Sequence, residues 1–375
     1  REYGISVGAG SPRPYEKWLA SHKPFHWFIE FYGIIKRGGF DVIIGNPPYV
    51  EYSKVKDDYT VRGYATESCG NLYAFVAERS FAILRDNGHF GMIVPISLPS
   101  TPRMSLLRDL VSEKSSFIWC ANFADRPGAL FNGVHQKVSI VLCDRNSTRE
   151  ERRLYTTAYK HWYAKNESDE RSNLMTTLAY VVPPQIAICW MKSGNPIEQS
   201  IYLKLCQQPQ PITKYFVGAS KFALNMRMMY WGKCFTQRQE SNEYKIFSAA
   251  SAADQKVLVS VFNSTLYFWY WELIGDGWHI TSKELDNFFF NMETLSTTNR
   301  LVLVKLCEDL MVDLDKKKVF VGTKQTEYEY YHRLSKPIID EIDRVLARHY
   351  GFTDEELDFI INYDIKYRMG REAEE

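Results

Sequence analysis

Four consecutive residues, Asn46, Pro47, Pro48 and Tyr49, combine groups that could carry out chemistry on an aromatic amine. Such an amine is a poor nucleophile because its lone pair is delocalised into the ring. The Asn46 side-chain oxygen and the Pro47 carbonyl could accept both N–H groups and so favour a tetrahedral nitrogen, while the prolines hold that carbonyl in one direction. Tyr49 offers a flat face for stacking, and a base in a duplex would have to flip out to reach it.

A purely structural explanation of the same tetrad also stands. Two prolines fix φ and push the preceding residue away from the helical region, so the segment would act as a rigid turn that ends a strand. This explanation accounts for Pro47 and Pro48, but it gives no reason for Asn46 and Tyr49 to flank them. The chemical interpretation accounts for all four residues.

The segments around the tetrad alternate between strand and helix patterns. Phe40–Gly45 is a short apolar run of the kind found in buried strands, and the tetrad follows it directly. Further along, the sequence predicts a helix over 71–85, a strand over 89–94, a helix over 103–114 and strands over 117–123 and 138–143. This order is typical of an α/β sheet with crossover helices. Farther on, it predicts a helix at about 253–271 and two helices within 335–362, separated by Gly351 and with Thr353 as a cap.

Composition excludes several classes of protein. Hydrophobic residues make up 45% of the 375 residues and aromatic residues 15%, which is enough for packed cores. The longest apolar runs are far shorter than the roughly 20 residues that span a bilayer, so we expect no membrane segment. The seven cysteines are scattered singly and the eight histidines are dispersed. We therefore expect no disulfide framework, no metal centre and a cytoplasmic location.

Charge is uneven along the chain although the net charge is only +1. Residues 211–245 carry six basic and two acidic side chains, whereas residues 351–375 carry eight acidic and three basic ones. Each imbalance is equally well explained by a solvated face. If the first face is exposed, its lysines and arginine would contact phosphates. The candidates for such contacts are Lys214, Lys221, Arg227 and Lys233.

The stretch Phe40–Val50 resembles the catalytic motif of gamma-class N6-adenine DNA methyltransferases. Asn71–Arg79 and Gly88–Pro95 are similar to the helix and strand that follow this motif in the family. Leu130–Ser139 resembles the late motif whose aromatic residue packs on the flipped base. Three further segments resemble the target-recognition domain and tail of single-chain type IIG restriction–modification methylases: Phe262–Leu266, Gly275–Ile280 and His349–Glu356.

The resemblance implies a function and a division into domains. It implies transfer of a methyl group from S-adenosylmethionine to adenine N6 in double-stranded DNA, within a restriction–modification or phage-defence system. Residues 1–205 would form a partial Rossmann-like methyltransferase sheet, residues 206–300 an α+β target-recognition domain and residues 301–375 a helical tail. The catalytic residues would be Asn46, Pro47, Pro48, Tyr49 and Phe131. In the recognition domain, the turn predicted to touch bases or phosphates carries Trp278, His279, Thr281, Ser282 and Lys283.

One family feature is missing ahead of the catalytic strand. The Gly-rich loop that binds S-adenosylmethionine, and the acidic residue for the ribose, should precede it. Gly8-Ala9-Gly10 is the only nearby glycine pair, and the roughly thirty residues between it and Asp41 are too few for the intervening elements. The chain also begins with Arg1. We therefore expect a fragment whose cofactor-binding half, and any nuclease, lies on an upstream segment or another subunit.

Two alternative functions remain open at this point. The chain could be a DNA-binding module without activity, since it alone lacks a recognisable cofactor loop. It could also be a methyltransferase that acts on RNA or on a glutamine amide of a protein, because the Asn-Pro-Pro-Tyr tetrad serves those amines as well. The recognition region predicted at 206–300 favours DNA.

Overall fold

A five-stranded mixed sheet forms the first half of the chain, and a helix-rich region around a three-stranded sheet forms the second. The computed structural model describes residues 16–17, 20–21, 23, 25–58, 60–131, 135–146, 152–163, 173–186, 188–323 and 327–370. In chain order the strands of the two sheets are β1 (Phe40–Gly45), β2 (Leu84–Pro95), β3 (Phe117–Phe123), β4 (Val138–Asp144), β5 (Arg153–Lys160), β6 (Ser220–Asn225), β7 (Cys234–Phe235) and β8 (Tyr244–Ala249).

The helices cover the first sheet and build most of the second region. They include α1 (Trp27–Glu30), α2 (Tyr32–Lys36), α3 (Leu72–Ile83), α4 (Ser97–Ser100), α5 (Ser105–Lys114), α6 (Ile197–Cys206), α7 (Ala252–Asn263), α8 (Thr265–Ile274), α9 (Ser282–Asp286), α10 (Thr297–Lys317), α11 (Lys336–Tyr350), α12 (Asp354–Ile361) and α13 (Ile365–Met369). The short strands β9 (Val319–Phe320) and β10 (Tyr328–Glu329) pair antiparallel after α10. None of the helices in the described residues has the length and apolar character needed to cross a membrane.

The first sheet has the order β1-β2-β4-β3-β5. Strand β1 runs parallel to β2 through the crossover helix α3, and β3 runs parallel to β5. Strand β4 is antiparallel to both of its neighbours, so it lies between two strands that point the same way. The α/β class predicted from the sequence is confirmed, and the sheet is mixed rather than fully parallel.

Strand β2 is longer than predicted. The sequence predicts a helix to residue 85 and a strand from residue 89, with Asp86-Asn87-Gly88 as a turn between them. Instead the strand begins at Leu84 and continues through this segment, with Asn87 in the left-handed region at φ 60°. The register between β1 and β2 shifts between Phe40 and Val42, which accommodates the irregular start of β2.

Strand β1 forms where the sequence predicts a strand, but it is not buried. Ile44 is 76% exposed and Val42 is 52% exposed. Among the described residues β1 has a strand neighbour only on the side of β2, so its other edge carries no ladder hydrogen bonds. The apolar run Phe40–Gly45 therefore predicted the strand correctly, whereas the prediction that this strand is buried is wrong.

The second region contains a dense aromatic core. The helix predicted at about 253–271 is two helices, which Ser264 separates. Ser264 follows α7 and caps α8, because its hydroxyl accepts a hydrogen bond from the Tyr267 amide in the first turn of α8. Asp343 on α11 accepts the amides of Thr265 and Leu266, which fixes the start of α8. One buried cluster runs from Cys189 to Ile360 and includes side chains of α7, α8, α10 and α11. The domain boundaries predicted after residues 205 and 300 stay predictions, and this core continues across both.

The tail helices form as the sequence predicts. Helix α11 ends at Gly351, which adopts φ 68°. Thr353 and Glu356 form a reciprocal capping box at the start of α12. The glycine that ends α11 and the threonine that caps α12 are both local sequence signals, and both predictions are confirmed.

Candidate functional site

The Asn-Pro-Pro-Tyr tetrad lies at the carboxyl end of β1, the end of a parallel strand where α/β proteins commonly bind ligands. Asn46 and Pro48 are exposed, Pro47 is buried and Tyr49 is half-buried. A cavity of about 900 Å³ adjoins the tetrad, and Asn46 is on its wall. The rest of its lining comes from β1, from α3, from α1 with the two residues before it, from the segment 61–64 and from β2, and it contains no carboxylate among the described residues.

The ring of Tyr49 is held from both ends. Its hydroxyl donates to the Ile93 carbonyl of β2 at 2.8 Å, and its ring meets the edge of Tyr73 at a centroid distance of 6.5 Å. Tyr73 is in turn hydrogen-bonded to Ser97 at 2.8 Å. Burial raises the pKa of Tyr49 to about 12, so the phenol stays neutral and keeps its donor. The orientation of the ring is therefore set by contacts within the chain.

A polar network that the sequence did not predict fixes the chain just after the tetrad, at Glu51. Glu51 accepts from Asn71 at 3.1 Å and from Arg103 at 2.6 Å. Asn71 also caps α3, since its side chain accepts the Tyr73 amide. The hydrogen bond from Arg103 is the largest of several contributions that lower the pKa of Glu51. The cap at Asn71 is a local signal, whereas its link to Glu51 and Arg103 depends on the folded sheet.

Phe131 is half-buried and lies at the end of a described segment. Leu130, its neighbour in sequence, packs on the same small apolar cluster as Tyr49, a cluster built from Phe123, Val138 and Trp162. The late motif therefore approaches the tetrad. Residues 132–134 of that motif lie outside the described residues.

Three of the nine predicted DNA contacts lie side by side. Arg227 and His279 form an isolated antiparallel bridge, and Met228 donates its amide to the Trp278 carbonyl. The Trp278 ring lies 3.3 Å from the Lys137 ammonium, a close cation–π contact, and the Arg227 guanidinium lies 5.8 Å from the same ring. Because Lys137 directly precedes β4, this contact joins the turn that carries Trp278 to the five-stranded sheet.

The other six candidates are dispersed. Lys221 is exposed at the start of β6, Lys214 is exposed near Glu293, and Thr281 and Ser282 line a groove of about 340 Å³ together with Lys245. Lys233 is half-buried, and burial lowers its pKa. These side chains do not form one basic face with Arg227.

Lys283 is engaged inside the protein. Its ammonium donates to the carbonyls of Ser100 and Ile274, each at 2.7 Å, and pairs with Glu284 at 2.7 Å. Its side chain is 8% exposed. A phosphate or base contact from Lys283 would require these bonds to break.

Two further groups of residues could bind a cofactor or an ion: a glycine pair near the start of the sequence and a cluster of one histidine and two carboxylates. The glycine pair Gly8-Ala9-Gly10 lies outside the described residues. The described residues also bring together His161, Glu272 and Asp364, each with a potential metal-ligand atom within 4.8 Å of the other two. Sequence spacing gave no sign of this cluster, because its members come from three distant segments.

Comparisons with known proteins identify similar sequences for part of the chain. Residues 13–127 match a family model described as Eco57I restriction-modification methylase. A stretch of 139 residues is 30% identical to a protein of Methanocaldococcus jannaschii that carries the name of a type II restriction enzyme and methyltransferase. That alignment covers 37% of this chain and 11% of the relative, so the chain spans a small part of it.

Solved structures of restriction–modification enzymes also have a partly similar fold. The type IIL enzyme MmeI in complex with DNA superposes with a TM-score of 0.48 and 12% identity, over 92% of this chain and 58% of that one. The type ISP enzyme LlaBIII bound to DNA gives a TM-score of 0.38 and 12% identity, over 73% of this chain and 29% of that one.

Proposed function

We propose that this chain carries the catalytic tetrad and the DNA-recognition part of a site-specific adenine-N6 DNA methyltransferase that uses S-adenosylmethionine. The main observation behind this proposal is the position of Asn46. It is exposed at the end of β1, on the wall of a cavity of about 900 Å³, and three residues before Tyr49, whose ring is fixed. The match of residues 13–127 to restriction–modification methylases supports a role in such a system.

The chain's own contribution is to hold and activate the amine. The Asn46 side-chain oxygen and the Pro47 carbonyl accept the two N–H groups, which directs the nitrogen lone pair away from the aromatic ring. Tyr49 stacks on one face of the extruded base, and Phe131 stacks on it as well. Because the Tyr49 hydroxyl is fixed to Ile93, stacking requires no rearrangement of that ring. S-adenosylmethionine, when bound, supplies an electrophilic methyl group.

The described residues do not by themselves fit the whole cofactor. The cavity beside Asn46 has no acidic lining residue for ribose hydroxyls, and its wall is mainly aliphatic and aromatic. We infer that strands from another segment of a longer protein, or from a separate subunit, pair with the open edge of β1 and complete the cofactor site. The exposed side chains of Val42 and Ile44 on β1 support the inference, since an unpaired apolar edge strand favours strand addition. A nuclease would belong to the same additional polypeptide.

The direct test is Asn46→Ala in the complete enzyme that binds S-adenosylmethionine. Removing one preorganised hydrogen-bonding group should lower the rate of methyl transfer by at least ~10²-fold, with duplex DNA binding retained. Asn242→Ala is the matched control, because Asn242 is an exposed asparagine in the loop before β8. Undiminished transfer in the Asn46 variant would contradict the role of the tetrad. Nucleoside mass spectrometry of the product would contradict adenine N6 if it found another methylated base.

A second test concerns the missing wall of the cofactor site. Calorimetric titration of residues 1–375 with S-adenosylmethionine should give very weak binding or none. Duplex DNA binding should survive, and it should weaken steeply with salt because phosphate contacts release counterions. A clear micromolar cofactor site in this chain would contradict the inference that a further segment completes it.

A further inference from the structure

His161, Glu272 and Asp364 form a cluster where three segments meet. His161 directly follows β5, Glu272 lies within α8, and Asp364 directly precedes α13. Asp364 Oδ2 is 2.6 Å from His161 Nδ1, and Glu272 Oε1 is 4.0 Å from His161 Nε2. The cluster therefore links the catalytic sheet, the aromatic core and the tail through one imidazole and two carboxylates.

Buried polar atoms around the cluster lack hydrogen-bond partners. They include one carboxylate oxygen of Glu272, one of Asp125 and the hydroxyl of Tyr159. Glu272 is 2% exposed and Tyr159 is 5% exposed. Together with His161 these residues line a cavity of about 50 Å³. An unpartnered buried polar group costs about 1–3 kcal/mol, so several around one cavity point to a polar occupant.

The neighbouring cations are engaged elsewhere. The Lys137 ammonium is paired with Asp125 at 3.4 Å and lies against the Trp278 ring. The Arg368 guanidinium lies 3.9 Å from the Trp231 ring and donates to the carbonyls of Tyr230 and Tyr363. Neither is in hydrogen-bond contact with a carboxylate of the cluster.

We propose that His161, Glu272 and Asp364 bind one divalent transition-metal ion. Imidazole and carboxylate ligands suit Zn²⁺ and Mn²⁺. Two ligand atoms on one such ion, each about 2.1 Å from it, lie about 3 Å apart. To bind one ion through Nδ1, His161 and Asp364 separate by a few tenths of an ångström. Glu272 faces the other ring nitrogen, Nε2, at 4.0 Å, so its side chain turns toward the Nδ1 side of the imidazole to reach the same ion. The ion fastens the tail and α8 to the catalytic sheet, close to the Lys137–Trp278 contact.

The test uses the full chain, first freed of metal with a chelator and then incubated with Zn²⁺, Mn²⁺ or Mg²⁺ alone. We expect close to one retained Zn²⁺ or Mn²⁺ per chain, a higher melting temperature and little effect of Mg²⁺. Glu272→Gln and Asp364→Asn preserve shape, and each should weaken metal binding by at least ~10-fold. His279→Asn is the matched control, because exposed His279 lies 3.8 Å from Asp276 but outside the cluster.

Two outcomes would overturn the proposal. One is the absence of both retained ion and thermal shift in the wild-type chain. The other is metal binding that persists unchanged in the Glu272 and Asp364 variants. X-ray absorption of the Zn²⁺-loaded wild-type chain gives a check that depends on no variant. One imidazole with oxygen ligands supports the cluster, whereas sulfur ligands would assign the ion to a cysteine such as exposed Cys206.

Discussion

Strand β1, at the open edge of the five-stranded sheet, and the core around α8 place apolar residues in opposite environments. In α8, Tyr267, Trp269 and Tyr270 are all fully buried. On the edge strand β1, Val42 is 52% exposed and Ile44 is 76% exposed. Among the described residues, the second region buries its apolar side chains in its own core, whereas the first leaves part of β1 exposed. Composition alone could not separate the two, because both segments are rich in apolar residues.

Buried lysines join the two regions at the carboxyl end of α8. Lys192 donates to the carbonyls of Leu273 and Gly275 and to the Ser100 hydroxyl. Lys283 donates to the carbonyls of Ile274 and Ser100. Cations are stabilised at the carboxyl end of a helix, where carbonyls lack intrahelical partners. The contact between regions is thus polar and specific, unlike the apolar edge of β1.

The largest expected effect is on the free energy of unfolding, and it compares a residue of the α8 core with a residue of the exposed strand β1. Trp269→Ala should lower the free energy of unfolding by about 3–5 kcal/mol, because it opens a cavity in a packed core. It also removes the indole donor to Glu198 at 3.0 Å. Ile44→Ala in the same isolated chain should change it by less than about 0.5 kcal/mol, since the side chain already contacts water. Urea unfolding checks both, and an equal loss for Ile44→Ala would mean that the edge is covered.

The sequence predicted features that depend on local signals. It located the strand before Asn46, the helix after Asn71, the end of α11 at Gly351 and the cap at Thr353. It did not predict the exposure of β1, because burial depends on which strand lies alongside. It missed the internal bonds of Lys283 and the meeting of His161 with Asp364, since both require contacts between distant segments.

The second prediction tests stacking on the catalytic side. Tyr49→Ala and Phe131→Ala in the complete enzyme should each weaken binding to DNA with an extruded target base by about 1–3 kcal/mol. Tyr49→Trp should keep most of the activity, because only a flat face is required. A fluorescent base analogue at the target position reports extrusion. An identical signal in the wild type and both alanine variants would show that other residues stack on the base.

The third prediction tests the lysine junction through pH. Burial lowers the pKa of Lys192 from 10.5 to about 8, so between these values the unfolded chain binds a proton that the folded chain lacks. Stability therefore rises with pH in this window. From pH 7.5 to 9.5 the wild type should gain about 2 kcal/mol relative to Lys192→Met. Urea unfolding at both pH values checks this, with exposed Lys221→Met as the control. Parallel pH profiles for the wild type and Lys192→Met would contradict it.

The smallest expected effect is on the salt dependence of DNA affinity. It tests which end of β6 contacts DNA, and so whether DNA binds beside the five-stranded sheet. Arg227 follows β6, next to Trp278 and the Lys137 contact, whereas Lys221 lies at the opposite end of the strand. If DNA lies along the Arg227 side, Arg227→Gln should reduce the slope of log affinity against log salt by about 0.9, the value for one phosphate. Lys221→Gln should leave the slope unchanged.

Glu243 sharpens this last test because it pairs with Arg227 at 2.7 Å. Glu243→Gln removes a competing anion, so DNA affinity should rise modestly and only while Arg227 is present. The double variant Glu243→Gln with Arg227→Gln should bind like Arg227→Gln alone. Fluorescence anisotropy across a salt series measures all of these slopes. The reverse pattern, with loss confined to Lys221→Gln, would place DNA at the far end of β6 and separate recognition from the Lys137–Trp278 contact.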